Sequence, residues 1–119
     1  MNKAQEMVKI AHRALEEKKG GDILILDIAH VTIVADYFLI SHGENSHQVQ
    51  AMADEVEEQM AKAGYPCRHI EGYAAAKWIL LDFGDLVVHI FSQEDRRFYD
   101  LERIWRSGIT LGKTEIETW

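Results

Sequence analysis

Trp78-Ile79-Leu80-Leu81-Asp82-Phe83-Gly84-Asp85-Leu86-Val87-Val88-His89-Ile90-Phe91 carries the most informative local pattern in the chain. Two apolar runs meet at a short polar break, and a glycine sits inside that break. The arrangement predicts two antiparallel strands joined by a hairpin with Phe83-Gly84 as a two-residue loop. In that register Asp82 opposes Asp85, Leu80 opposes Val87 and Trp78 opposes His89. Side chains alternate between the faces of a strand. One face then carries Ile79, Leu81, Leu86, Val88 and Ile90, which is wholly apolar and must be core. The other carries Trp78, Leu80, Asp82, Asp85, Val87 and His89. An aromatic anchor, aliphatics and a polar rim are what a protein-binding patch contains. A helix laid over this face, with the polar groups at its margin, is the alternative. His89, a lone histidine in an apolar run, reads as structural rather than catalytic.

At the N-terminal side, residues 2–19 predict an amphipathic helix, with Ala4, Val8, Ala11 and Leu15 at three- and four-residue steps and Gly20-Gly21 as its stop. Ile23 to Ile28 and Tyr37 to Ser41 read as strands. Asn45 with Gln48 resembles a capping box, and opens a second helix with Val49, Met52, Ala53, Val56 and Met60 as its buried stripe. Gly64 and Pro66 stop it. Cys67 to Glu71 reads as a further strand ahead of the hairpin. Phe98, Leu101, Ile104 and Trp105 place a last helix over Glu94 to Trp105. The expected architecture is an α/β (α+β) domain with a mixed sheet of about five strands and flanking helices. It takes the whole of residues 1–119 as one domain, with 2–106 as core and 107–119 as a C-terminal tail or an added contact.

The chain is acidic. Twenty Asp and Glu outnumber thirteen Lys and Arg, for a formal net charge of −7. Gripping nucleic acid through its phosphates needs a cationic face, so direct DNA or RNA binding is disfavoured and a basic protein partner favoured. Cys67 is the single cysteine, so neither an internal disulfide nor an all-cysteine zinc site is available. No apolar run approaches the about 18 residues that span a bilayer. Lys9, His12 and Arg13 interrupt any signal-peptide reading, and Glu6, Glu16 and Glu17 spoil a transit peptide. The expected location is the cytoplasm.

Several motifs lead nowhere. Asp82-Phe83-Gly84 spells the magnesium motif of protein kinases, but the glycine-rich loop, strand lysine and catalytic loop that must accompany it are missing. The six histidines are scattered; only His42 and His47 lie near one another, without a third ligand. Gly43 to Ser46 before a helix could cradle an anion, and the order of elements suits a nucleotidyltransferase scaffold. That chemistry needs two close carboxylates to hold magnesium, and Cys67-Arg68-His69-Ile70-Glu71 has no acid-x-acid pair. Asp82 and Asp85, the nearby acids, flank a turn. Cys67 with His69 is a weak nucleophile signature, and a core cysteine accounts for it. A nucleotide-binding enzyme related to nucleotidyltransferases therefore stays as the alternative function, and a homodimer through the hairpin face as a further alternative.

Taken in order, these segments resemble the Iojap or ribosomal-silencing-factor family. Asp36-Tyr37-Phe38-Leu39-Ile40-Ser41 with Gly43 is similar to the family's D-Y-F-[VL]-I-x-x-G. Ser46-His47-Gln48-Val49 with Ala53 to Glu57, Glu71-Gly72, the hairpin from Trp78 to Phe91, and Arg97-Phe98-Tyr99-Asp100-Leu101-Glu102-Arg103-Ile104-Trp105 follow in the family's order. The resemblance implies a nucleotidyltransferase-like fold without enzymatic activity and without a cofactor or metal. It implies binding to the large ribosomal subunit through its basic protein numbered fourteen, which sterically blocks joining of the small subunit and represses translation when nutrients are short. It implies contacts from Trp78, Leu80, Asp82, Asp85, Tyr99 and Asp100.

Overall fold

In the computed structural model, which describes residues 1–96 and 108–119, helix α1 spans Lys3–Glu17. A reciprocal cap starts it. Asn2 Oδ1 accepts from the Gln5 backbone N–H at 2.8 Å, and Gln5 Oε1 accepts from that of Asn2 at 3.1 Å, satisfying two donors that the first helical turn leaves over. Ala4, Met7, Val8, Ala11, Ala14 and Leu15 are buried along one stripe. The helix stop differs from expectation in detail: Lys19, not a glycine, takes the left-handed backbone (φ 58°). Gly21 already belongs to strand β1, Gly21–Asp27.

Strand β2 spans Tyr37–Gly43 and helix α2 Ser46–Lys62. The buried residues of α2 are Val49, Met52, Ala53, Val56 and Met60, the stripe that the 3.6-residue period predicts. The capping box is only half formed. Asn45 Oδ1 accepts from the Gln48 N–H at 2.9 Å, but the Gln48 carboxamide takes the Glu44 N–H at 2.6 Å and donates to the carbonyls of Lys18 and Lys19 at 3.0 and 3.1 Å. Gln48 thus ties the start of α2 to the end of α1.

Strands β3 (His69–Glu71), β4 (Trp78–Asp82) and β5 (Leu86–Ser92) follow, then a short helix α3 (Gln93–Arg96). The helix expected over Glu94 to Trp105 lies mostly outside the described residues. Residues 109–119, set apart as a tail in the sequence, carry strand β6 (Ile109–Leu111) and helix α4 (Lys113–Glu117). The sheet therefore has six strands rather than about five, in the order β3-β4-β5-β2-β1-β6. The sixth is a three-residue strand, too short to show a period. It pairs antiparallel with β1, Leu26 opposite Thr110. Ile116 is buried in the main core, the Trp119 ring lies 5.5 Å from that of Tyr37, and Lys113 Nζ meets Glu16 Oε2 at 2.7 Å.

The sheet is mixed. β2 and β5 run parallel, with Tyr37 opposite Leu86, and α2 lies on the connection between them, as parallel neighbours require. The other pairs are antiparallel. Helices α1 and α2 share one core with Ile25, Leu39, Ile79, Leu81, Leu86, Val88 and Ile90. A second, smaller cluster on the opposite face holds Leu26, Ile28, Ala35, Phe38, Ile40, Val87 and Phe91, with Leu24, Trp78 and Leu80 partly buried against it.

Gly72 fixes the approach to β4. Its φ is +78°, and a Cβ there would lie 2.1 Å from the carbonyl oxygen of Trp78. A left-handed backbone costs a non-glycine residue about 1–2 kcal/mol, and the clash adds to it. Gly72→Ala is expected to lower unfolding free energy by about 2 kcal/mol or more, read as a fall in the urea midpoint. A midpoint equal to wild type would contradict this geometry.

Candidate functional site

The hairpin register differs from the sequence reading by two residues. Asp82 opposes Val87 rather than Asp85, Leu80 opposes His89 rather than Val87, and Trp78 opposes Phe91 rather than His89. The connection is longer than Phe83-Gly84, closing with the Phe83 N–H donating to the Leu86 carbonyl at 2.9 Å. The cause is Phe83. A two-residue loop would place its ring in solvent, whereas here the chain stays extended one residue further and Phe83 is 2% exposed, packed in the main core. Burying such a side chain is worth about 1.5–3 kcal/mol. Gly84 then turns the chain with φ +91°, its N–H held by Asp82 Oδ1 at 2.8 Å. Because the shift is even, each residue keeps the face that alternation gave it.

The mixed face is graded. Toward the sheet centre, Val87, His89 and Phe91 are buried; toward β3, Trp78, Leu80 and Asp82 are half-buried on β4. Trp78 is held from two sides. Its indole Nε1–H donates to His89 Nδ1 at 3.1 Å, and its ring lies 5.1 Å from that of Phe91. Asp85 is half-buried. Its carbonyl accepts from the N–H groups of Asp36 and Tyr37 at 2.8 and 3.1 Å, tying the turn to the start of β2. The Arg68 guanidinium stands over Gly84, 2.8 Å from where a Cβ would be. Of the six residues singled out in the sequence, four thus fall on one hairpin, running from Trp78 to the turn at Asp85. Tyr99 and Asp100 lie outside the described residues.

His89 is structural. It is 4% exposed, edge-on to Phe38 at 4.7 Å between ring centroids. Burial pushes its pKa down from 6.5 to about 4, so the imidazole is neutral at pH 7. Since Nδ1 accepts from Trp78, the proton resides on Nε2. Among the described residues that buried nitrogen has no hydrogen-bond partner. An unsatisfied buried donor costs about 1–3 kcal/mol.

The other polar groups are committed elsewhere. Cys67 Sγ lies 3.2 Å from the His69 carbonyl, and burial raises the thiol pKa, away from the thiolate that nucleophilic work requires. The His69 ring instead meets Glu71 at 3.0 Å. Strand β3 begins at His69 rather than Cys67, so Cys67 lies outside the strand that carries His69. Asn45 and Gln48 occupy the start of α2 where an anion would sit. Among the described residues, no group of three or more His, Cys, Asp or Glu side chains is placed to hold a metal ion. No helix among them is long and apolar enough to cross a membrane.

A six-stranded mixed sheet with two helices on one face and an aromatic, acid-edged hairpin on the other makes an α+β domain, and comparison with known proteins gives the family. Residues 1–118 match the family described as ribosomal silencing factor during starvation, and the chain belongs to it. It is 44% identical over 101 residues to the ribosomal silencing factor RsfS of Bacillus subtilis, covering 85% of this chain and 86% of that one. A crystal structure of a Chromobacterium violaceum protein superposes with a TM-score of 0.85 at 36% identity, covering 87% of both chains. More distantly, the mouse protein named mitochondrial assembly of ribosomal large subunit protein 1 is 29% identical over 94 residues, covering 76% of this chain and 41% of the mouse protein.

Proposed function

We propose that this chain is a non-catalytic repressor of translation that docks on the large ribosomal subunit through the mixed face of the β4–β5 hairpin. Its partner there is the basic protein numbered fourteen of that subunit. An occupant at that place keeps the small subunit from joining, so translation falls when nutrients are short, and the site of action is the cytoplasm. Family membership and the printed names of the bacterial and mouse relatives support the ribosomal reading.

One observation carries the choice of face. Trp78 and Leu80 are half-exposed beside Asp82 and Asp85, on a chain of net charge −7. A preset aromatic anchor loses little rotamer freedom on binding, and carboxylates at the rim steer the acidic chain toward a basic partner. Tyr99 and Asp100 complete the proposed contact set.

Trp78→Ala combined with Asp82→Arg is expected to abolish co-sedimentation with large subunits at concentrations where the wild type is saturated. Truncating a hot-spot anchor alone costs about 2 kcal/mol or more, roughly thirtyfold. Asp82 also holds the turn and Trp78 the His89 ring, so circular dichroism must first show a folded variant. Asp85→Arg, whose backbone carries the turn contacts, serves as the milder companion. Wild-type binding by both variants sinks the proposed face.

A further inference from the structure

The connection between β1 and β2, residues 28–36, emerges at the same end of the sheet as the Asp82–Asp85 turn. The N–H groups of Asp36 and Tyr37 donate to the Asp85 carbonyl, and the Ile28 N–H donates to the Asp36 carbonyl at 2.9 Å, closing the base of the loop. Ile28 and Ala35 are buried in the second-face cluster with Phe38 and Val87. The loop therefore rises from the end of the face that bears Leu80. At its tip Ile33 is fully exposed, and Val34 and Val31 are exposed as well.

Three branched aliphatics exposed within four residues form a contiguous apolar tip, the kind of surface that marks an interaction site. The tip is not slack. The N–H groups of Val31 and Thr32 donate to the Ile28 carbonyl at 2.9 and 3.1 Å, and that of Val34 to Thr32 Oγ1 at 3.1 Å. A loop already held in shape loses little entropy when a partner closes over it. Asp36, exposed, and Asp85, half-buried, lie at its foot.

We infer that Val31, Ile33 and Val34 are the apolar end of the docking surface, entering an apolar hollow on a basic protein whose lysines or arginines meet Asp36, Asp82 and Asp85. The inference rests on the hairpin reading above. Two observations select this occupant: the loop continues the β4 face, and acids border the aliphatic tip on a chain of net charge −7. A second copy of the chain, or an anionic membrane surface, would bring like charge to the same place.

The test uses the full chain and its own large ribosomal subunits, with Ile33→Ser/Val34→Ser and Trp78→Ala prepared separately. Because both loop side chains are in water, the loop variant keeps the wild-type melting temperature. It is expected to bind at least about tenfold more weakly than wild type, with an unchanged dependence on salt because the acids remain. Wild-type affinity in the loop variant, with binding lost in Trp78→Ala, overturns the inference and leaves the hairpin face standing. Weak binding in the loop variant alone keeps the loop as a contact and removes the hairpin anchor. Two further results overturn the inference. One is a wild-type dimer that the loop variant converts to monomer without loss of subunit binding. The other is pelleting of the wild type, but not the loop variant, with phosphatidylglycerol vesicles.

Discussion

Phe83→Ala is expected to lower the unfolding free energy by about 3–5 kcal/mol, the cost of emptying a filled core site of its aromatic ring. The size is at odds with the residue's place in the chain, inside the connection of a hairpin. Phe83 is nevertheless buried in the same core as Leu81 and Ile79. Chemical denaturation reads the effect as a lower midpoint at unchanged slope. A loss below about 1 kcal/mol, the usual result for a solvated turn residue, would mean that the ring is not in the core and that the tighter register holds. The experiment therefore tests the hairpin register through thermodynamics alone.

The second large effect is a loss of stability in mild acid. His89 has a folded-state pKa of about 4 against 6.5, depressed because burial disfavours the charged imidazolium. Below pH 6.5 the unfolded chain takes up a proton that the folded chain refuses, so stability rises with pH across the window from about 4 to 6.5. The contribution is fully present above that window and lost below it, on the order of 3 kcal/mol in all. His12, whose pKa is also lowered chiefly by burial, acts with the same sign. The measurement is accordingly a difference between wild type and His89→Gln, which keeps an acceptor for the Trp78 indole but does not titrate. The gap in unfolding free energy between the two proteins should shrink from pH 7 to pH 4.5. A gap that stays constant over that range means His89 is free to protonate in the folded state.

Some of this was legible in the sequence for reasons that are local. The α2 stripe follows from the helical period, because a helix packed on one side has no other way to bury Val49, Met52, Ala53, Val56 and Met60. The faces of β4 and β5 follow from alternation, and they survive the error in register because a shift of two residues changes partners without changing sides. The register itself was not legible. Asp82-Phe83-Gly84-Asp85 satisfies the chemistry of a two-residue loop, and only the vacancy that Phe83 fills in a core built by α1, α2 and the sheet selects the longer one. Gln48 is a similar case. Its spacing from Asn45 advertises a local cap, while its carboxamide is spent on the carbonyls at the end of α1, some thirty residues away in the chain.

The candidate site divides along the same line. Trp78, Leu80 and Asp82 share a half-buried strand, as alternation predicts. Val87 and His89, placed on that face by the same reasoning, are too deeply buried to meet a partner, because β5 lies inside the sheet while β4 lies one strand from its edge. Strand order is a property of the whole topology, and no pattern within a single strand reports it. The exposed aliphatics at Val31, Ile33 and Val34 are not legible for the opposite reason: a β-branched run between two strands looks the same whether the fold buries it or leaves it in water, as here.

The pairing of β6 with β1, and the salt bridge between residues 97 apart that accompanies it, has a consequence for biosynthesis. A chain growing from its N-terminus has α1 and β1 available early, but the strand that closes the outer edge of β1 is made only after β2 to β5. Until β6 is made, that edge exposes unpaired amide and carbonyl groups, the kind of edge on which strands of separate chains join. Residues 109–111 seal it only after they clear the exit tunnel. Truncations that stop short of Ile109 would therefore leave every molecule in the vulnerable state that the chain with β6 passes through once.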